Sequence, residues 1–203
     1  MSTSQQDSDI SLTLEEREYL EGTRPAPERV ERRRPGWMVV GMVWATFGLY
    51  VFFWIGFHWA EMKRQLRDDS MYPVWHALAM IVPIYSYFRF HANFRVMNEL
   101  LAETRSTHRT HPLLAVATFL AASLLISIPV DSLRLTAINL VAALAAISWT
   151  IYHGQSAMNA YWDVTKDQPT TTRVKLWERL LIGAGAGLWI VFIGGAIAGV
   201  EAG

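Results

Sequence analysis

The stretch WMVVGMVWATFGLYVFFWIGFHW, Trp37 to Trp59, runs for 23 residues without a Lys, Arg, Asp or Glu. As one straight helix rising about 1.5 Å per residue it would measure roughly 34 Å, against about 30 Å for the hydrocarbon core of a bilayer. Its terminal tryptophans suit the two lipid–water interfaces, where amphipathic rings concentrate. The stretch predicts a transmembrane helix and sets the expectation for the rest of the chain.

On its N-terminal side, residues 1–36 read as a polar tail. Thr13-Leu14-Glu15-Glu16 fits a capping box, so a short helix is expected through Tyr19 to Gly22. Pro25, Pro27 and the run Arg32 to Arg34 then read as an extended linker. The tail lacks the basic start and apolar run of a cleavable signal peptide.

On its C-terminal side, the charged stretch Glu61 to Asp69 leads to a second apolar run, Val74 to Phe88, interrupted by Pro83. Fifteen residues reach only about 22 Å, so crossing requires an extension to His91 with Arg89 snorkelling. The alternative is a re-entrant partner of the first run. Three further runs, Leu113 to Val130, Leu135 to Tyr152 and Leu180 to Val200, are uncharged. Pro129, Asp131 and Ser132 lie in or beside the link between the third and fourth runs, which makes those helices antiparallel neighbours.

Two stretches are amphipathic at helical spacing. Phe94, Met97, Leu100 and Leu101 share a face within 93–104, and Met158, Tyr161, Trp162 and Thr165 share one within 155–166. Both are expected to lie in the membrane interface. The fold class expected is all-α: a polytopic transmembrane helix bundle with about five spans, near 37–59, 74–91, 113–130, 135–152 and 180–200, in a domain covering 37–203.

Composition agrees with that class. The chain is 52% hydrophobic and 18% charged, where a soluble domain carries about 25% charged residues. Net charge is zero, so no nucleic-acid partner is implied, and the absence of cysteine removes disulfide, thiolate and iron–sulfur chemistry. With five spans, 14 of the 18 basic residues fall on the side of the tail. Only Lys63, Arg64, Arg67 and Arg134 fall on the other. The positive-inside rule then places a multi-pass protein in a bacterial inner membrane with its N-terminus in the cytoplasm.

Few motifs point to chemistry. Gly183-Ala-Gly185-Ala-Gly187, with Gly194, Gly195 and Gly199, has no preceding strand and lies in an apolar run, which excludes a phosphate-binding loop. Gly183 with Gly187 and Gly195 with Gly199 are small-xxx-small pairs that let another helix backbone approach closely. His58, His76, His91 and His153 lie in or near the spans. Each is read as a hydrogen-bonded interfacial residue, with His91 and His153 as the candidates for a haem or chlorophyll ligand. His108 and His111 stand at i, i+3 without a carboxylate, so no metal site is expected. Ser123, Ser127, Asn139 and Ser148 suit interhelical hydrogen bonds, and no nucleophile–base or paired-carboxylate arrangement is present.

Thr46-Phe47-Gly48-Leu49-Tyr50, followed by Trp54 and by Glu61-Met62-Lys63-Arg64, resembles the bacterial membrane family of unknown function known as DUF forty-two thirty-four. Met158 to Trp162 is similar too. The resemblance covers residues 37–101 clearly and the rest loosely. It points to a membrane helix in which Gly48 permits close packing, and it implies no activity, substrate or catalytic residue.

The expectation for function is a non-enzymatic accessory or scaffold subunit, without cofactor, that packs in the lipid bilayer against partner membrane subunits or a second copy. A small transporter would instead need a polar cavity around Asn139, Ser148 and His76. A pigment or haem carrier would use His91 or His153.

Overall fold

The computed structural model describes residues 33–104, 106–165 and 174–201, with the side chains of 196 and 198–201 left aside. The expected short helix near Thr13 and the loop at 166–172 fall outside these residues. Within them the chain is all-helical. The α-helices are α1 (Gly36–Ala45), α2 (Tyr50–Leu66), α3 (Pro73–Leu78), α4 (Pro83–Glu103), α5 (Pro112–Ser127), α6 (Leu133–Val164) and α7 (Leu176–Glu201). A single 3-10 turn, Ala79–Ile81, joins α3 to α4.

The 23-residue apolar run is not one helix, which corrects the expected span at 37–59. It breaks at Thr46–Leu49, between α1 and α2. Phe47 and Gly48 both take positive φ, 50° and 91°. The Gly48 N–H donates to the Val43 carbonyl at 2.8 Å and the Phe47 N–H to that of Trp44 at 3.2 Å. This is a Schellman ending, and it satisfies carbonyls the helix end leaves open. Thr46 then serves both helices: its hydroxyl donates to Met42 O at 2.8 Å and accepts from the Tyr50 N–H at 2.9 Å. Phenylalanine is an unusual residue for the left-handed position, costing about 1–2 kcal/mol. The stacking of its ring on Trp189, with centroids 4.8 Å apart, offsets that cost.

The break reverses the chain. Arg34, just ahead of α1, pairs with Glu61 on α2, and its guanidinium lies 4.6 Å from the centre of the Phe57 ring. Both ends of the run thus return to the same place. Along α6 the directions are explicit. Gly36 lies against Tyr152 and Gly48 against Leu144, so α1 runs antiparallel to α6. On α2, Trp54 meets Gln155 and Gln65 meets Tyr161, so α2 runs parallel to it.

A second reversal lies between Arg67, which takes φ of 50°, and Tyr72. Trp59 packs on His76 and Gly56 on Ala77, so α3 runs antiparallel to α2. Pro83 then opens α4 at its first helical position, where a missing N–H costs nothing. The expected span at 74–91 is therefore divided between α3 and the first turns of α4. The expected helix at 93–104 is the continuation of α4 rather than a separate element.

Three helices match the later runs more closely. The third run is α5, 16 residues long. The fourth run and the expected interfacial helix at 155–166 are one helix, α6, whose 32 residues measure roughly 48 Å. The fifth run lies within α7. Among the described residues two helices, α6 and α7, are long and apolar enough to cross a membrane, not about five. The faces assigned to the interface are buried in protein: Met97, Leu100, Leu101, Met158 and Trp162 join Trp59 and Met62 in one core.

Gly48→Ala tests the reversal. An added methyl would meet Leu144 at an ordinary 3.4 Å, so the cost is conformational rather than steric. We expect a loss of about 1–2 kcal/mol, read as a lower thermal midpoint in detergent. Gly183→Ala, where an added methyl meets nothing within 4 Å, should leave the midpoint unchanged or raise it.

Candidate functional site

Two features of the fold are candidates for function: a closed polar seam in the interior and an open glycine face on α7. The seam starts at Trp54, whose Nε1 donates to Gln155 Oε1 at 3.1 Å. Gln155 Nε2 donates to Asn159 Oδ1 at 3.3 Å, and Asn159 Nδ2 donates to the Arg34 carbonyl at 3.2 Å. Arg34 continues to Glu61, whose side chain is 3% exposed. Arg33 adds a bidentate pair to Asp163, at 2.6 and 3.2 Å. His58 stacks on Trp54 at 4.4 Å, and its Nδ1 donates to Asn93 Oδ1 at 2.9 Å.

Local sequence explains the assembly. Trp54, His58, Glu61 and Gln65 recur at helical spacing on one face of α2, and Gln155, Asn159 and Asp163 do so on α6. Gly154 admits the Trp54 ring: a methyl there would sit 2.8 Å from its Cη2. Chemically the seam is a fastener. Buried polar groups must be paired to be tolerated, and here the pairing joins the start of α1 to α2, α4 and α6. His58 Nε2, Asn93 Nδ2 and Trp59 Nε1 are buried without a hydrogen-bond partner.

Sequence reading missed this seam. His58 stands there as an interfacial residue, Trp54, Glu61 and Asn159 only within the family resemblance, and none is paired, because the partners lie about 30 to 130 positions away.

The histidine candidates are not brought together as a ligand pair. His153 is exposed, stacks on Trp149 at 4.1 Å, and donates from Nδ1 to the Trp149 carbonyl at 2.7 Å. It lines a small recess of about 70 Å³ with His108 and His111, and His91 is not part of that lining. Among the described residues no group of three His, Cys, Asp or Glu could hold a metal ion. Asn139 lines a separate recess of about 170 Å³ with Thr136 and four apolar residues of α5 and the α5–α6 link; Ser148 and His76 do not share it. Ser123 and Ser127 donate to carbonyls of their own helix. The polar link between α5 and α6 is instead the Thr118–Thr150 hydroxyl pair, at 2.7 Å.

On α7 one glycine is used within the chain. A methyl at Gly185 would overlap the backbone of Ala45, so α1 and α7, parallel to each other, touch there main chain to main chain, with Gly41 against Ile182. Trp189 locks the contact by donating to the Trp44 carbonyl at 2.8 Å. Of the five glycines expected to pack helices, Gly48 instead forms the reversal. Gly183, Gly187 and Gly195, like Gly194, have nothing within 4 Å, and Gly199 lies in α7 beyond the described side chains.

No protein-family model matches the chain, and neither does any curated protein or any solved structure.

The Arg34–Glu61 pair is testable by a double-mutant cycle. We expect Arg34→Met and Glu61→Leu to couple by roughly 1–3 kcal/mol in unfolding free energy. Additive losses would show that the pair does not hold α1 to α2.

Proposed function

We propose that this chain is a non-catalytic accessory or scaffold subunit of a bacterial inner membrane, and that it engages a partner helix through the open face of α7. The observation that carries this reading is the set of glycines at 183, 187, 194 and 195. They stand beside exposed Ile190 and Val191, and a methyl added at any of them would meet no other element among the described residues within 4 Å. Without a hydrophobic drive between helices in lipid, close backbone approach at small residues is the main source of association.

The membrane placement is part of the same proposal. Leu113, Leu124, Leu133, Leu176, Leu180 and Ile190 are among the many large apolar residues that α5, α6 and α7 expose, a surface suited to lipid rather than water. We place three crossings, α6, α7 and the shorter α5, whose 16 residues measure roughly 24 Å and cross where the bilayer thins to meet them, with the α1–α2 and α3–α4 hairpins dipping into one leaflet and returning. Non-straight backbone is tolerated at such depth where its polar groups are satisfied by protein, as at Thr46–Gly48.

This arrangement improves the charge asymmetry. Lys63, Arg64 and Arg67 move to the side of the tail, leaving Arg134 as the one basic residue opposite. The N-terminus stays cytoplasmic by the positive-inside rule. The location also accords with the family that residues 46–64 resemble.

The chain has no cysteine, so single-cysteine variants report topology directly. In intact cells we expect an impermeant maleimide to label Ser132→Cys, and to label Ser70→Cys only after permeabilisation. Labelling of Ser70→Cys in intact cells would restore a crossing between α1 and α3 and sink the three-crossing arrangement.

For the docking face, Gly183→Leu/Gly187→Leu should insert and melt like the parent but lose the subunit that co-purifies with it in mild detergent. A parent protein that purifies as a lone monomer would remove the accessory-subunit reading.

A further inference from the structure

An apolar trough runs between α2 and α3. Leu49, Phe53, Gly56, Ala60, Val74 and Ile81 are among its walls, and its volume is about 750 Å³. Its lining contains no charged side chain, yet Leu49 and Phe53 are each 63% exposed and Val74 71%. From Leu49 to Ala60 the trough is roughly 16 Å long. That is about half the ~30 Å hydrocarbon core, the depth of one leaflet.

The end of the trough is different. The α2 stripe that forms its wall continues one turn further into Lys63 and Arg64, and Arg67 follows as the left-handed residue that ends the helix. Lys63 lies over the Tyr72 ring at 5.9 Å, beside Pro73 of the trough wall. Arg64 Nε is buried without a hydrogen-bond partner. Three carboxylates are close in sequence, of which Glu61 is taken by Arg34. Asp69 faces Lys63 at 3.7 Å. Asp68 is occupied by Ser70, whose N–H and hydroxyl donate to it at 2.9 and 2.6 Å and hold its carboxyl below the usual range.

We infer that the trough is a glycerophospholipid site, with one acyl chain lying along α2 and α3 and the phosphate held by Arg64 and Arg67. An arginine fork matches a phosphate better than a point charge does. The trough's length and dry lining match an acyl chain, and the cations at one end match the phosphate. The inference rests on the membrane placement proposed above.

The test uses the full-length protein in vesicles of phosphatidylethanolamine and phosphatidylglycerol. These carry a trace of either a diazirine-acyl phospholipid or diacylglycerol bearing the same diazirine chain. Crosslinked peptides are then mapped. The phospholipid probe should label the trough peptides spanning α2 and α3 over the diacylglycerol probe, while both probes label α5 and α7 alike. Arg64→Gln/Arg67→Gln should reduce the trough labelling by about fivefold for each cation removed and leave α5 and α7 unchanged. Ala60→Trp, which fills the trough, should abolish it with the cations intact.

Equal trough labelling by the two probes overturns the phosphate assignment. Labelling of α5 and α7 but not the trough overturns the site while leaving the membrane placement standing. Trough labelling seen only after residues 1–32 are deleted would give it to the tail. No labelling anywhere defeats the membrane placement itself.

Discussion

The structure depends on reversing an apolar chain without leaving its backbone polar groups unmet. A helix end exposes carbonyls and N–H groups, and in apolar surroundings each unmet group costs several kcal/mol. Phe47 and Gly48 turn the chain while the N–H groups of both return to carbonyls of α1. Thr46 bridges the last turn of α1 and the first of α2 with one hydroxyl. Because those groups are satisfied locally, the reversal requires no water and no neighbouring strand. It brings Arg34 back to Glu61, and from that pair the polar seam reaches Asn159, Gln155 and Trp54.

The two ends of the molecule obey different rules. At one end α5 and α7 leave long apolar side chains outward, and interior contact is made by small residues such as Ala45 and Gly185. At the other, Met62, Met97, Leu101, Met158 and Trp162 form a fully buried core beneath charged surfaces. One helix, α6, belongs to both, which is why it is roughly 48 Å long. Its Leu133 end is apolar and exposed, and its Trp162 end is packed.

Several elements were legible in the sequence, and others were not, for identifiable reasons. Pro73, Pro83 and Pro112 each take the first position of a helix, where proline is favoured, although Pro83 reads in the sequence as an interruption of the run at 74–88. The amphipathic stripes of 93–104 and 155–166 were also readable, because side-chain periodicity is a local property. What the apolar face would meet was not: lipid and protein present the same demand to such a stripe. Gly48 looked like a packing residue because its composition context is helical. Only φ of 91° shows it as a turn residue.

The sequence by itself determined that the described residues are all-helical and that charge is gathered away from long apolar runs. These follow from local propensity and from the cost of burying charge. The tertiary structure alone decided that Trp37–Trp59 is a hairpin and that α7 leaves glycines uncovered. It also decided that the seam from Arg34 through Gln155 to Trp54 exists at all. A 23-residue run is long enough to cross a bilayer. It turns back because a left-handed Phe47 is stabilised by Trp189, more than 140 positions away, and no window of sequence contains both.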